Sequence, residues 1–273
     1  MSLKELRLDF EATLAEAIDG SGYAHYGYWT EGAPSVPTMK ALGAAQQAYF
    51  DLMASRIPEG TKSILDVGSG TGANAAGFVK LGYDLECLCP SEHLNALARR
   101  KLPDSVSVHD TLFEAYETEK VFDLCLFAES FHYIELDTAL AQLARYARNH
   151  VLIFDYFRKA SNAEEDGTRG THSEFLNAVE AQGLFEVVSD DDLTEAIIPT
   201  FAVLEHIRTK QIAPFVERAR ETFSKDYPMR TRVVEWLFGK TLRKIGRPRG
   251  RAEKFLATRE YRLILMTRRQ TSA

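Results

Sequence analysis

The chain has 273 residues, 45% hydrophobic and 26% charged, which is ordinary globular composition and argues against disorder and fibrous repeats. Its 33 basic and 39 acidic residues leave a net charge of −6, so the chain as a whole does not read as a binder of nucleic acid. The apolar runs are strand-sized and broken by charge, well short of the roughly 20 residues of a membrane helix. The opening residues alternate charge with leucine and show no secretory signal. Three cysteines, Cys87, Cys89 and Cys125, make no disulfide framework and point to a cytoplasmic setting.

Residues 1–60 read as helix-rich. Leu3, Leu6, Phe10 and Leu14 recur at amphipathic spacing, and a second helical pattern runs from Met39 to Ile57. Between them lies an aromatic stretch holding Tyr23, His25, Tyr26, Tyr28 and Trp29 around Gly22 and Gly27. Residues 61–194 alternate strand-like runs (63–67, 84–88, 106–108, 122–128, 149–155, 185–189) with helical ones (73–81, 93–101, 138–147, 173–182). That alternation predicts a doubly wound α/β fold with a mostly parallel, Rossmann-like sheet. Residues 195–258 read as helices and 261–267 as a last strand. A strand arriving so late fits a seven-stranded sheet with 195–258 inserted as a helical cap over its ligand-binding edge.

The run Ile64-Leu65-Asp66-Val67-Gly68-Ser69-Gly70-Thr71-Gly72 joins the first strand to its helix. Glycines there let the backbone turn sharply and approach a ligand, at the strand tips where open parallel sheets bind. The same residues fit a dinucleotide fingerprint, so an NAD(P)-dependent oxidoreductase is an alternative. Asp66 ahead of the glycines, and Cys89 where an acid for the ribose is expected, argue instead for a phosphate-free cofactor with an amino or cationic group.

The segment resembles the class I S-adenosylmethionine-dependent methyltransferases, in which Asp-Val-Gly-Ser-Gly-Thr-Gly is the nucleotide-binding signature. The resemblance extends over about residues 20–155, toward the small-molecule subgroup of sarcosine, tocopherol and sugar methyltransferases. It implies that Asp66, Gly68, Ser69 and Gly70 line the methionine side of S-adenosyl-L-methionine. It further implies that Asp110 reads the adenine amino group, with Thr111 and Leu112 beside the ring. The family commonly ends its second strand with an acid for the ribose. Here Glu86 lies too early and alternation turns it to the opposite face, so Cys89 and Ser91 are placed near the ribose. Cys87 reads as strand packing, and a Cys-x-Cys pair alone is poor evidence for a metal.

The fourth strand runs into Glu129-Ser130-Phe131-His132, which resembles the Glu-Ser-x-x-His stretch of the same subgroup. Histidine is suited to proton transfer near neutral pH, so His132 is the expected base or positioning group, unless it is a capping or core histidine. Glu129 would orient His132, hold the acceptor or cap the next helix. Residues 25–29 resemble a segment that closes over the cofactor, making Tyr23, Tyr28 and Trp29 cofactor contacts; the alternative is that these rings staple the first helices to the core. Residues 230–254 hold nine Lys/Arg and two Asp/Glu, whereas 161–195 hold ten acids and one arginine. The basic stretch reads as a site for an anionic group or membrane surface, or as a solvated face pairing with acidic neighbours. Trp236, Leu237 and Phe238 just before it keep an apolar acceptor in view.

The expected protein is a cytoplasmic enzyme methylating a small-molecule acceptor, nitrogen before oxygen or carbon. A cofactor-binding protein without catalysis is a further alternative.

Overall fold

The computed structural model describes residues 22–159, 170–227, 229 and 250–270. The amphipathic pattern at residues 3–14, Trp236–Phe238 and most of the basic stretch lie outside them.

Helix α1 (Met39–Ser55) leads to β1 (Ser63–Val67), α2 (Ala73–Lys80), β2 (Asp84–Leu88), α3 (Glu92–Lys101) and β3 (Ser107–His109). Then come β4 (Phe122–Ala128), α4 (Leu136–Tyr146), β5 (Ala147–Arg158), α5 (His172–Gln182) and β6 (Phe185–Asp192). Helices α6 (Thr194–Ile197), α7 (Pro199–His206), α8 (Ala213–Asp226) and α9 (Arg251–Thr258) separate β6 from β7 (Arg259–Arg268). A π-helical stretch, Ile207–Ile212, links α7 to α8.

The strands form one seven-stranded sheet in the order β3-β2-β1-β4-β5-β7-β6. Strand β7 runs antiparallel to both of its neighbours, and the pairings from β3 through β5 are parallel. The order reverses between β1 and β4, which puts a topological switch point at the tips of these two strands.

Period-two alternation feeds two cores. Leu65, Val67, Cys125, Phe127, Val151 and Ile153 face one side, where Leu140 and Leu143 of α4 and Phe175 and Val179 of α5 cover them. Ile64, Leu124, Leu126, Leu152 and Phe154 face the other, under Tyr49, Phe50 and Met53 of α1 and Phe78 of α2. Strands buried on both faces read as continuous apolar runs, and each such side chain contributes roughly 1.5–3 kcal/mol. This scaffold fixes where the charged residues at the strand ends can point.

Several strands extend past their sequence-based limits. β5 begins two residues earlier than expected and ends three later, and β6 continues into Asp190–Asp192. The acids of β6 are tolerated because Arg262 of β7 reaches Asp190 and Asp192, and His172 also meets Asp190. Part of the acidic segment is therefore paired within the sheet layer.

Candidate active site

The β1 tip turns through Gly68, whose N–H donates to Leu88 O at 2.7 Å; Ser69 N–H shares that acceptor at 3.1 Å. A Cβ on Gly68 would collide with Ser130, whose hydroxyl donates to Val67 O. Gly70 differs: at φ +56° its missing Cβ would meet only Gly68 O, at 3.9 Å. The glycines thus divide their work. Gly68 lets the tips of β1 and β4 close on each other, and Gly70 keeps open the space above the loop.

Asp66, the last-but-one residue of β1, is buried with Oδ2 unpartnered. Burial pushes its carboxyl up to about 7. Ser69 Oγ is likewise buried without an oxygen or nitrogen partner, beside the Cys87 thiol. An orphaned carboxylate oxygen beside an open glycine loop is what a polar ligand at this tip would complete.

Across the β2 tip, the Cys89 thiol takes backbone N–H contacts from Gly70 and Ser91, which places it against the loop. The Ser91 hydroxyl caps α3 by accepting from Leu94 N–H at 3.4 Å. Glu86 points away, as alternation predicted, and is occupied by Tyr116 O–H at 2.8 Å, His109 at 2.8 Å and Lys120. The strand tip therefore carries no free acid.

Asp110 follows β3 and is exposed. Arg99 and then Asn95 hold its carboxyl below the usual range through hydrogen bonds. Sequence reasoning missed Asn95, whose amide is fully buried and donates to Cys89 O at 2.7 Å and to Asp110 Oδ1 at 2.6 Å. Thr111 donates its hydroxyl to Leu112 O, and the Leu112 side chain is exposed.

At the β4 tip, His132 sits in a short 3₁₀ turn, Phe131–Tyr133. Its Nδ1 lies 2.8 Å from Asp155 Oδ1, and its backbone N–H donates to Asp155 Oδ2 at 3.0 Å. The Tyr156 ring packs 4.2 Å from the imidazole. A carboxylate only accepts hydrogen bonds, so in the neutral ring this contact favours the tautomer with the proton on Nδ1 and the lone pair on Nε2. Nε2 is buried and without a partner. The expectation that Glu129 orients His132 is corrected: Asp155, on the adjacent strand β5, does so.

Glu129 instead receives Tyr26 N–H at 2.8 Å and Tyr261 O–H at 3.1 Å on Oε1. It is the one non-glycine with positive φ among the described residues, at 60°. That conformation costs about 1–2 kcal/mol, offset here by the two hydrogen bonds. Burial pushes its carboxyl up to about 8, with Asp155 adding to the shift. Helix α4 has its own cap, Glu135, so capping by Glu129 is also corrected.

The aromatic segment is tied down rather than loose. Tyr28 N–H donates to Ala45 O, Trp29 N–H to Ala196 O, and the Trp29 indole to Thr200 Oγ1 at 2.9 Å. Trp29 packs with Leu42, Val203 and Ile207, so it staples α1 to α7. Tyr23 is buried against Phe50 and donates to Gln47. The segment still touches the glycine loop, where Thr71 O–H donates to Gly22 O at 2.6 Å.

A seven-stranded sheet in this order, with a glycine loop and a buried acid at β1, defines the class I methyltransferase fold. Residues 65–154, about a third of the chain, match the methyltransferase-domain family. An uncharacterized methyltransferase of Mycobacterium tuberculosis is 27% identical over 92 residues, or 34% of this chain and 38% of the relative. An uncharacterized methyltransferase of Mycobacterium bovis matches to the same extent, so the alignment spans 38% of the length of these curated relatives. Among solved structures, geranyl diphosphate C-methyltransferase from Streptomyces coelicolor superposes with TM-score 0.69 at 13% identity, covering 98% of both chains. The [4+2]-cyclase SpnF gives 0.67 at 18%, covering 98% of this chain and 96% of the other. The cyclopropane synthase MmaA2 from Mycobacterium tuberculosis gives 0.64 at 14%, covering 98% and 94%. These likenesses establish the fold. No helix among the described residues is long and apolar enough to cross a membrane.

Proposed function

We propose that this chain is an S-adenosyl-L-methionine-dependent methyltransferase acting on a small-molecule acceptor, with S-adenosyl-L-homocysteine as product. The observation that carries the reading is the buried, unpartnered Asp66 Oδ2 behind a glycine loop whose Gly70 opens onto free space. Asp66, Gly68, Ser69 and Gly70 hold the methionine end. Cys89 and Ser91 lie by the ribose, and Asp110, Thr111 and Leu112 by the base. Gly22–Trp29 closes the cofactor end of the site through Gly22 and Thr71, with Tyr23, Tyr28 and Trp29 setting its position. A buried carboxylate suits an ammonium group and repels a pyrophosphate, which favours this reading over a nicotinamide dinucleotide.

When bound, the cofactor supplies a methyl group already activated as a sulfonium, so the protein must align the acceptor and exclude water. His132 Nε2 takes the proton that the acceptor loses, and Asp155 stabilises the imidazolium that results. This pair suits an acceptor arriving with a proton to give up. We place a protonated amine first, ahead of hydroxyl or carbon, because residues 25–29 resemble the segment of amine methylators. The [4+2]-cyclase and the geranyl diphosphate enzyme share the fold, so the fold itself leaves the acceptor open. Product mass and NMR after turnover with candidate amines check this choice.

Calorimetric titration tests the cofactor. Micromolar or tighter binding of S-adenosylhomocysteine with no NAD(P)H binding is expected, and the reverse rejects the reading. The titration should also depend on pH. Asp66 is raised to about 7 by burial, and the ligand's ammonium favours the ionised form. Binding below pH 7 therefore ejects a proton, and affinity rises by up to roughly tenfold per pH unit from 5.5 toward 7, then levels off. An affinity flat from pH 5.5 to 8.5 would separate Asp66 from the ligand.

A further inference from the structure

We infer that Asn95 and Arg99, one turn apart on α3, are positioning residues that hold Asp110 as an acceptor-only reader and so set the base preference of the site. The inference rests on the cofactor reading above and concerns residues that neither the sequence patterns nor that reading assigns. Each Asp110 oxygen has one protein donor: Asn95 Nδ2 to Oδ1 at 2.6 Å and Arg99 guanidinium to Oδ2 at 2.8 Å. Both oxygens keep a second acceptor site. With two donors fixed, the carboxylate stays ionised and cannot rotate. An ionised carboxylate accepts from the exocyclic amino group of a 6-aminopurine. A 6-oxopurine offers lone pairs there, and the two acceptors repel.

The two supports are unequal. Asn95 is fully buried and also donates to Cys89 O, so one amide sets the spacing between the β2 and β3 tips. Arg99 also donates to Val108 O at 2.8 Å, but its guanidinium is exposed and screened by water and salt. Asn95 should therefore matter more.

The experiment measures dissociation constants of S-adenosylhomocysteine and S-inosylhomocysteine on the full chain by calorimetry. The unmodified protein is expected to prefer the adenosyl ligand by at least about thirtyfold. Asn95→Ala should reduce that ratio to within about threefold. Arg99→Ala should reduce it by about threefold, and raising salt should reproduce that smaller effect. Asp110→Asn, which can donate as well as accept, should bring the ratio near one. If Asn95→Ala fails to fold, Arg99→Ala and the salt series carry the test, because Arg99 lies at the surface. Failure of the unmodified protein to bind or to discriminate overturns the placement of the base itself. A ratio lost in Asp110→Ala but fully kept in the Asn95 and Arg99 variants overturns only the positioning roles.

Discussion

Asp155→Asn is expected to lower kcat by roughly two to four orders of magnitude while leaving the S-adenosylhomocysteine Kd within a few-fold. The asparagine keeps the volume and one acceptor oxygen but brings an NH₂ group to the Asp155 position. If that group faces His132 Nδ1, the ring proton must move to Nε2, and the atom assigned to accept a proton becomes a donor. The imidazolium formed during turnover also loses the carboxylate that stabilises it. His132→Ala should cost a similar amount, and the double variant little more than either alone, because the pair acts as one unit. Asp155 additionally holds the His132 backbone N–H, so thermal unfolding must accompany the kinetics. Glu129→Gln is the control: its side-chain oxygen can still receive Tyr26 and Tyr261, so its loss of kcat should be far smaller. Comparable losses of turnover and cofactor affinity in Asp155→Asn or His132→Ala would remove the pair from the chemistry.

That pair shows where the sequence was legible and where it was not. His132 stood out because it follows the apolar run Leu124–Ala128 at a tip where parallel sheets place ligands. Asp155 is the same kind of residue, a lone acid closing the run Val-Leu-Ile-Phe. In sequence it reads only as the end of a strand, 23 residues after His132. What joins them is the parallel register of β4 and β5, in which Ala128 at the end of β4 pairs with Phe154 and Asp155 follows at the level of the β4 tip. A search for isolated acids at apolar strand ends, the pattern that identified Asp66, would have found it. Asn95 was hidden for a different reason: a polar residue in a helix reads as solvated, and its burial depends on α3 packing across both strand tips. Glu129 was seen but misjudged. Its partners, Tyr26 and Tyr261, come from opposite ends of the chain, and no local spacing connects them. The order of elements, by contrast, needed only periodicity and glycines, because doubly buried strands and amphipathic helices leave local signatures.

The glycine loop makes the sharpest division between what folding requires and what binding requires. At Gly68, φ is +82° and a Cβ would strike Ser130, which its hydroxyl pins to Val67 O. Gly68→Ala thus combines left-handed backbone strain with overpacking between two strand tips and should destabilise the fold by about 3 kcal/mol. Gly70→Ala carries the backbone cost alone, about 1–2 kcal/mol, since its Cβ would meet nothing closer than 3.9 Å. If the space above Gly70 receives the cofactor, that small methyl should still weaken S-adenosylhomocysteine binding at least tenfold. Gly70→Val, branched and further into the same space, should abolish it. The expected signature is an inversion: Gly68→Ala loses more melting temperature, and Gly70→Ala loses more affinity per degree lost. Thermal unfolding and calorimetry on the same preparations read both. A Gly70→Ala protein that binds with unchanged affinity would mean that the opening above the loop is empty by accident of packing. Asp66 would then need another explanation for its unpaired oxygen, because an isolated buried carboxylate with no ligand only lowers stability as pH rises from about 4 toward 7.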